Sequence, residues 1–512
     1  MNFQNLQINR QVAWQSPYTI NPQHQKVLLK AFWLVSIVVL GFILIQTAAW
    51  QSTIGAMAIA IMSLLPSYLW CCGIAKGIPL MPVCSLTFLW THALPLVTQD
   101  RQITSYTPGE HWQAAITVVM FLAIGTFVWL SWVKSTPTPP VYYRSLRLEQ
   151  GDNLFLFLLV LGILYQLAAN TGLLWFLGSG GVAILRGFIT GLNTLGLFSL
   201  SYRLGKKELN KKQSRLLGIL LTIYLLVSAS SLYLIGILTT LFLVVVGLTL
   251  GSRQIPWKII TAVILISSLL HIGKGDMRLQ YWNQSVPMSV MPWQYPAFYL
   301  EWVNHSFSNL NFEHNPDEYV YRGQGDSDSL LERSSLIDKL LLVQHSSPKL
   351  IPHLNGKTYS IIPELLVPRL LNEDKIRGSE GNHILSIHYG LQNYEATFTT
   401  SHAWGLLQEA YANFGSLGCW GLAVILGSIY GAITRWCMQT SLFSFRSLLA
   451  IIFTNAAFQT EWTAGRLVTV VFQTTIPLLC VTYFLMKSRL HEVYIQQHTT
   501  GDRLNNSTLN NF

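Results

Sequence analysis

The chain has 512 residues, 51% of them hydrophobic and 11% charged, with a formal net charge of +10 and a mean hydropathy of +0.38. That charged fraction is under half the roughly 25% of a soluble domain, and with the long apolar runs it excludes an ordinary soluble globule and predicts an all-α polytopic membrane protein. Most of the basic residues sit in short loops between apolar runs, a topology signal that argues against nucleic acid as a partner.

A membrane crossing needs about 20 mostly apolar residues. Residues 1–30 are polar, with no apolar core followed by a small-residue cleavage site, so no removable signal peptide is expected. The apolar runs then predict about twelve transmembrane helices, near 31–49, 53–72, 78–97, 112–133, 154–170, 182–202, 215–232, 233–250, 256–272, 416–434, 446–461 and 467–486. The run from 215 to 250 is too long for one crossing, and its Ser228-Ala229-Ser230-Ser231 cluster marks the turn that divides it. Nine helices thus occupy 31–272 and three occupy 413–486, with a polar tail at 487–512.

Twelve crossings put both termini on one side. Lys and Arg in the terminal segments and alternate loops, counted with the adjoining helix ends, number 20, while the short loops of the other side hold only Arg101, Arg186 and Arg466. The positive-inside rule makes the first side cytoplasmic. Residues 273–412, between the ninth and tenth crossings, then form one large extracytoplasmic loop subdomain, with 10 Lys/Arg and 15 of the chain's 23 acids. Cys71, Cys72, Cys84, Cys419, Cys437 and Cys480 all lie outside it, so no disulfide framework is expected there. Within it, 329–343 places Leu330, Ile337, Leu340 and Leu341 on one helical face, fit for the bundle or the membrane surface, and the prolines of 348–368 predict mostly extended chain or turns.

Chemistry concentrates in and beside this loop. Arg278 (in GKGDMRLQYW), Arg369, Lys375 and Arg377 match the geometry of a diphosphate clamp, because guanidinium forks meet phosphate oxygens bidentately. The same residues also suit interfacial anchors or ion pairs with Asp276, Glu373 and Asp374. Arg186 lies inside an apolar run, either facing a cavity as a further diphosphate-binding candidate or snorkelling to the headgroups. Glu461 and Arg466 flank the turn between the last two crossings. His383, His388, His402, Glu395 and Glu409 resemble a metal set by type, but their intervals of 5, 14, 7 and 7 match no compact ligand motif, so no metal or other cofactor is expected. An imidazole or desolvated carboxylate tuned near neutral pH suits a general base for a sugar hydroxyl, and His402, Glu409 and His383 are rivals for that role. His402 and Glu409 are two helical turns apart and predict one shared cleft. Gly415, Gly418 and Gly421 read as helix entry and close helix packing. Trp282, Trp293, Tyr319, Tyr359, Tyr389 and Trp404 are available for stacking on sugars, for packing or for an interfacial belt.

The run EAYANFGSLGCWGLAVILGSIYG, opening a crossing just after the large loop, resembles the O-antigen and exopolysaccharide repeat-unit polymerases (Wzy-type). GKTYSIIPELLVPRLLNEDK resembles that family's Pro-Arg segment, with Leu371, Asn372 and Lys375 departing from its pattern, and GKGDMRLQYW resembles its basic entry to the loop. The resemblance spans about 270–435. It implies an inverting, metal-independent glycosyltransferase of the bacterial plasma membrane. Such an enzyme moves a growing glycan between undecaprenyl-diphosphate-linked oligosaccharides at the periplasmic face, alongside a flippase and a chain-length regulator. By this resemblance Arg278, Arg369 and Arg377 hold diphosphate, and His402 is the nearest match to the histidine that related ligases place upstream of Gly-x-x-Gly. A lipid-linked glycan ligase, a non-enzymatic flippase or transporter, and a sensor or scaffold are the alternative readings. The absence of paired halves in the sequence weighs against a transporter.

Overall fold

The computed structural model describes residues 22–98, 100–282, 290–311, 330–368, 372, 375–398 and 400–490. Its first helices are α1 (Pro22–Ile45), α2 (Trp50–Cys71) and α3 (Leu80–Phe88), the last continuing through a π turn at Leu89–Ala93. A short α4 (Arg101–Thr104) precedes α5 (Pro108–Val133). The start of α5 follows from its sequence: Thr107 accepts from the Glu110 amide, the Glu110 carboxylate accepts from the Thr107 amide in return, and Pro108 occupies a position that needs no donor. Next come α6 (Leu148–Asn170), α7 (Gly178–Gly205), α8 (Lys211–Ala229), α9 (Leu234–Ser252) and α10 (Trp257–Trp282). The turn expected at the serine cluster separates α8 from α9.

Ten helices among the described residues are long and apolar enough to cross a membrane, and the protein is a multi-pass, all-α membrane protein. Every interval predicted to cross is occupied by a helix. Two of these helices are not among the ten: the 14-residue α18 (Phe445–Phe458), which is short, and α7. Exposed Trp33, Ile37, Val38, Phe127, Leu265 and Tyr483 give the bundle an apolar outer surface far larger than a soluble monomer carries, as a lipid solvent demands.

Two packing centres organise the bundle. Along α17 (Leu406–Cys437), Gly427 lets the helix approach the Gly125 carbonyl of α5, and a Cβ there would lie 2.6 Å from that oxygen. Gly251 of α9 likewise meets the Tyr202 carbonyl of α7. Such close approach supplies the dispersion contacts that join helices where no hydrophobic drive operates between them. The strands β1 (Tyr142–Ser145) and β2 (Lys487–Leu490) pair antiparallel and tie the segment before α6 to the end of α19 (Ala464–Phe484).

The polar segment folds onto one end of this bundle. Helix α11 (Tyr295–Asn311), which the sequence reading left inside a loop, packs on α10 around a separate core of Met277, Phe298 and Trp302. The expected helix over 329–343 forms as two pieces, α12 (Leu330–Ser334) and α13 (Ile337–Ser346), and Ile337, Leu340 and Leu341 are buried against the bundle. The 348–368 run, expected as extended chain or turns, holds turns and also two short helices, α14 (Lys357–Ser360) and α15 (Ile362–Leu366): Pro363 falls in the first turn of α15, where a missing N–H costs nothing. Helix α16 (Glu380–His388) completes the segment.

Candidate functional site

The site is built around a break in α17. Gly415 has φ 61° and ψ −151°, a backbone region essentially reserved for glycine. Residues 406–414 form a short helix, and the long helix begins at 416, the start expected from sequence. The two pieces fold sharply on each other, so that the Cys419 thiol reaches the Leu407 carbonyl at 3.6 Å and a Cβ on Gly418 would clash with the Ala410 carbonyl. Gly415 therefore acts as a breaker, Gly418 permits the fold-back, and Gly421 has nothing within 4 Å, contrary to its expected packing role. A broken helix orphans carbonyls. The loop before α14 supplies donors: Leu354 N–H to Ala412 O at 3.0 Å, Asn355 N–H to Asn413 O at 3.2 Å, and Gly356 N–H to the Asn413 side chain at 3.0 Å. His353, unremarked in the sequence, stands beside the break, its Nε2 3.4 Å from where a Cβ on Gly415 would sit and its ring edge-on to Tyr411.

Glu409 lies on the short helix and is 0% exposed. Its Oε2 accepts the Ala464 amide at 2.6 Å, placing a carboxylate on the N-terminus of α19, where the helix dipole favours negative charge. Its backbone carbonyl accepts from Asn413, whose amide also donates to Thr358. Helix 406–414 is fixed from the other side by Gln408, in contact with His92 Nε2 at 2.8 Å and donating to Leu336 O at 2.9 Å.

The two-turn helical spacing expected between His402 and Glu409 is not formed. The helix starts at Leu406, so the two-turn spacing does not apply, and His402 belongs to the non-helical approach. The His402 ring is half-buried. Burial first, then Lys339, pushes its pKa down, opposed by a backbone hydrogen bond at Leu391 and by Asp338. Its carbonyl accepts from Asn382 of α16 at 3.0 Å, and Asn382 accepts from Thr463, the residue before α19, at 2.9 Å.

One turn along α16, His383 is buried, with Nε2 3.1 Å from Ser379 Oγ and Nδ1 3.6 Å from Glu380. Burial and then Arg377 push its pKa down, opposed by Glu380. Arg377 gives one N–H to the Thr397 carbonyl and one to the Thr397 hydroxyl, both at 2.9 Å. It lies 3.7 Å from Glu380 and 4.6 Å above the Phe398 ring. His383 is thus a candidate base that lies beside a candidate clamp residue. His388 Nε2 donates to the Pro352 carbonyl at 2.8 Å, and Glu395 is exposed.

The remaining cations divide. Arg278 donates to Leu232 O at 3.0 Å and lies over Tyr233, at the α8–α9 turn. One turn earlier on α10, buried Lys274 joins Arg466 in acting on Glu461, whose carboxyl burial pushes up and those two cations pull down. The turn flanked by Glu461 and Arg466 is the same turn that carries Thr463 and Ala464, so it links α10 to the α16–α17 site. Arg186 is exposed on α7, with its Nε 3.5 Å from the Tyr165 hydroxyl and none of the other candidates as partner. Lys375 is half-buried in the segment before Arg377. Arg369 and Tyr319 lie outside the described residues. Tyr389 and Trp404 are buried against each other with ring centroids 5.8 Å apart and planes tilted by 38°, whereas Trp293 is exposed.

Among the described residues no three His, Cys, Asp or Glu side chains converge as a metal set would. The fold and this site define a polytopic helical membrane protein carrying a polar, cation- and imidazole-bearing cap at one end of its bundle. No family model, curated protein or solved structure matches the chain.

Proposed function

We propose that the protein polymerises undecaprenyl-diphosphate-linked oligosaccharide repeat units into surface polysaccharide. In this reading it is an inverting glycosyltransferase whose donor carries its own leaving group. The observation that supports this best is the convergence on the α18–α19 turn of three elements: α16, which carries His383 and meets the turn through Asn382, the non-helical His402 segment held by the same Asn382, and the broken helix bearing Glu409. A donor activated by diphosphate asks the protein for alignment, charge stabilisation and one proton acceptor, and these residue types supply them.

In this reading Arg369, Lys375, Arg377 and Arg278 stabilise the departing diphosphate, and His402 takes the acceptor hydroxyl proton. A depressed pKa keeps imidazole neutral and able to accept at pH 7. His402 is preferred to His383, which is buried, and to Glu409, which is engaged with the Ala464 amide. Arg186 has no part in it. Twelve helices cross the inner membrane with both termini cytoplasmic and residues 273–412 periplasmic.

The test is the surface glycan of cells carrying Arg369→Ala, Arg377→Ala or Arg278→Ala. Loss of a charge-stabilising donor is expected to lower polymer formation about 10²-fold, with single repeat units still displayed and the protein still inserted. Loss of all displayed glycan favours a ligase, and polymer length unchanged in all three variants sinks the clamp. Orientation is read from Leu350→Cys, an exposed position, which should react in intact cells with a membrane-impermeant thiol reagent.

A further inference from the structure

At the opposite end of the bundle, where α17 finishes and Gly151 packs on Phe443, the first turns of α6 and α8 and the last turn of α7 enclose a cleft of about 710 Å³. Its floor is an ion pair: Arg203 Nε lies 2.9 Å from Asp152 Oδ1, the side chains 8% and 2% exposed, and Glu208 lies 3.8 Å from the same guanidinium. Lys212 lines the mouth, and Gln213 donates to Asn153 across it at 3.1 Å. Farther along the two helices the lining becomes Leu156, Phe157, Val160 and Leu216, with Phe157 58% and Leu216 44% exposed on the outer surface of the bundle.

At 1.5 Å per residue, the change from charged to hydrocarbon lining takes about 10 Å and runs from the helix ends toward the apolar band. That is the polarity profile of one lipid in one leaflet. A soluble anion has no use for the apolar wall. The charge selects among lipids: residues 203–215 contain Arg203, Lys206, Lys207, Lys211, Lys212 and Arg215 against the single carboxylate Glu208. Asp152 and Glu208 already face Arg203, and Lys206 lies 3.4 Å from Glu208. Among the lining residues Arg203 and Lys212 balance Asp152 and Glu208, so the positive surplus comes from Lys206, Lys207, Lys211 and Arg215 beside the cleft, and a zwitterionic headgroup leaves it uncompensated.

We propose that this cleft seats an anionic phospholipid of the surrounding bilayer. Its phosphate lies at Lys212 and the first turn of α8, and its acyl chains lie along Phe157 and Leu216. This proposal is independent of the polymerase reading. The experiment incubates the full chain in detergent with equal phosphatidylglycerol and phosphatidylethanolamine and counts retained lipids by native mass spectrometry. Wild type is expected to retain phosphatidylglycerol preferentially. Lys212→Glu, at an exposed position, is expected to lower that retention about thirtyfold, from roughly 1 kcal/mol for each of the two units of charge changed, with an unchanged thermal unfolding midpoint. Lys258→Glu, an exposed change at the start of α10, is the control and is expected to leave retention at the wild-type level. Equal retention of the two lipids by wild type, wild-type retention by Lys212→Glu, or the same loss in Lys258→Glu each overturns the site.

Discussion

Histidines 383 and 402 sit where protonation is disfavoured, His383 mainly because it is buried and His402 because it is half-buried beside Lys339. For each, the folded pKa lies below the ordinary value of 6.5. Between those values the unfolded chain binds more protons than the folded one, so stability rises with pH across that window and falls as pH drops below about 6.5. The thermal unfolding midpoint is expected to decrease from about pH 7.5 to about pH 5.5, and His383→Gln to flatten that slope; a midpoint unchanged over this range contradicts the assignment. At this scale the sequence named the right residue types but not their neighbours. Arg377 and His383 are six positions apart, and their proximity was readable once α16 was placed. His353 and Gly415 are 62 positions apart, and nothing in either local pattern announces their contact. Lys274 was overshadowed by Arg278, although only Lys274 reaches the Glu461 turn.

Helix α17 is the element on which the site depends, because its break turns the Glu409 carboxylate toward α19 and opens carbonyls to the 354–356 loop. Gly415→Ala is expected to cost about 1–3 kcal/mol, since a Cβ is strained at that φ and ψ whatever space surrounds it. The reading is a lowered unfolding midpoint together with faster amide exchange at Leu354 and Asn355, whose acceptors the break exposes. Exchange at those two amides equal to wild type would show that the break does not hold the loop. The crossing after 415 was legible because apolar residues run continuously from there. The short helix before it was not, because Gln408, Glu409 and Asn413 read as loop polarity until their buried partners are known. Helix α11 was missed for a related reason: its core contacts, Phe298 and Trp302, lie in a short run where apolar and polar residues are mixed, and Trp302 donates to the Leu270 carbonyl of a different helix.

Across the whole molecule, the bundle keeps its two ends chemically distinct. One end gathers imidazoles, Arg377 and buried carboxylates from the 330–405 segment, and the other gathers lysines and arginines around the short loops. Alternation of apolar runs and basic loops was enough to locate the helices, since lipid imposes one requirement on every crossing. The interior of the polar cap followed no single periodicity, because its short helices are positioned by partners in α5, α17 and α19 rather than by their own amphipathic faces.

The two-stranded ribbon gives the chain a clasp. Tyr142 pairs with Leu490 and Ser145 with Lys487, more than 300 positions downstream, and Leu146 donates to Phe443. As synthesis proceeds from the N-terminus, the first half of this clasp must wait, unpaired, until the final helix has been threaded into the bilayer. Shortening the chain to residue 485 is therefore expected to leave the 134–147 connection open to protease in otherwise inserted protein, whereas the full chain resists. A ribosome stalled inside α19 would leave the same mark, so closure of this fastener reports that the entire bundle has been delivered.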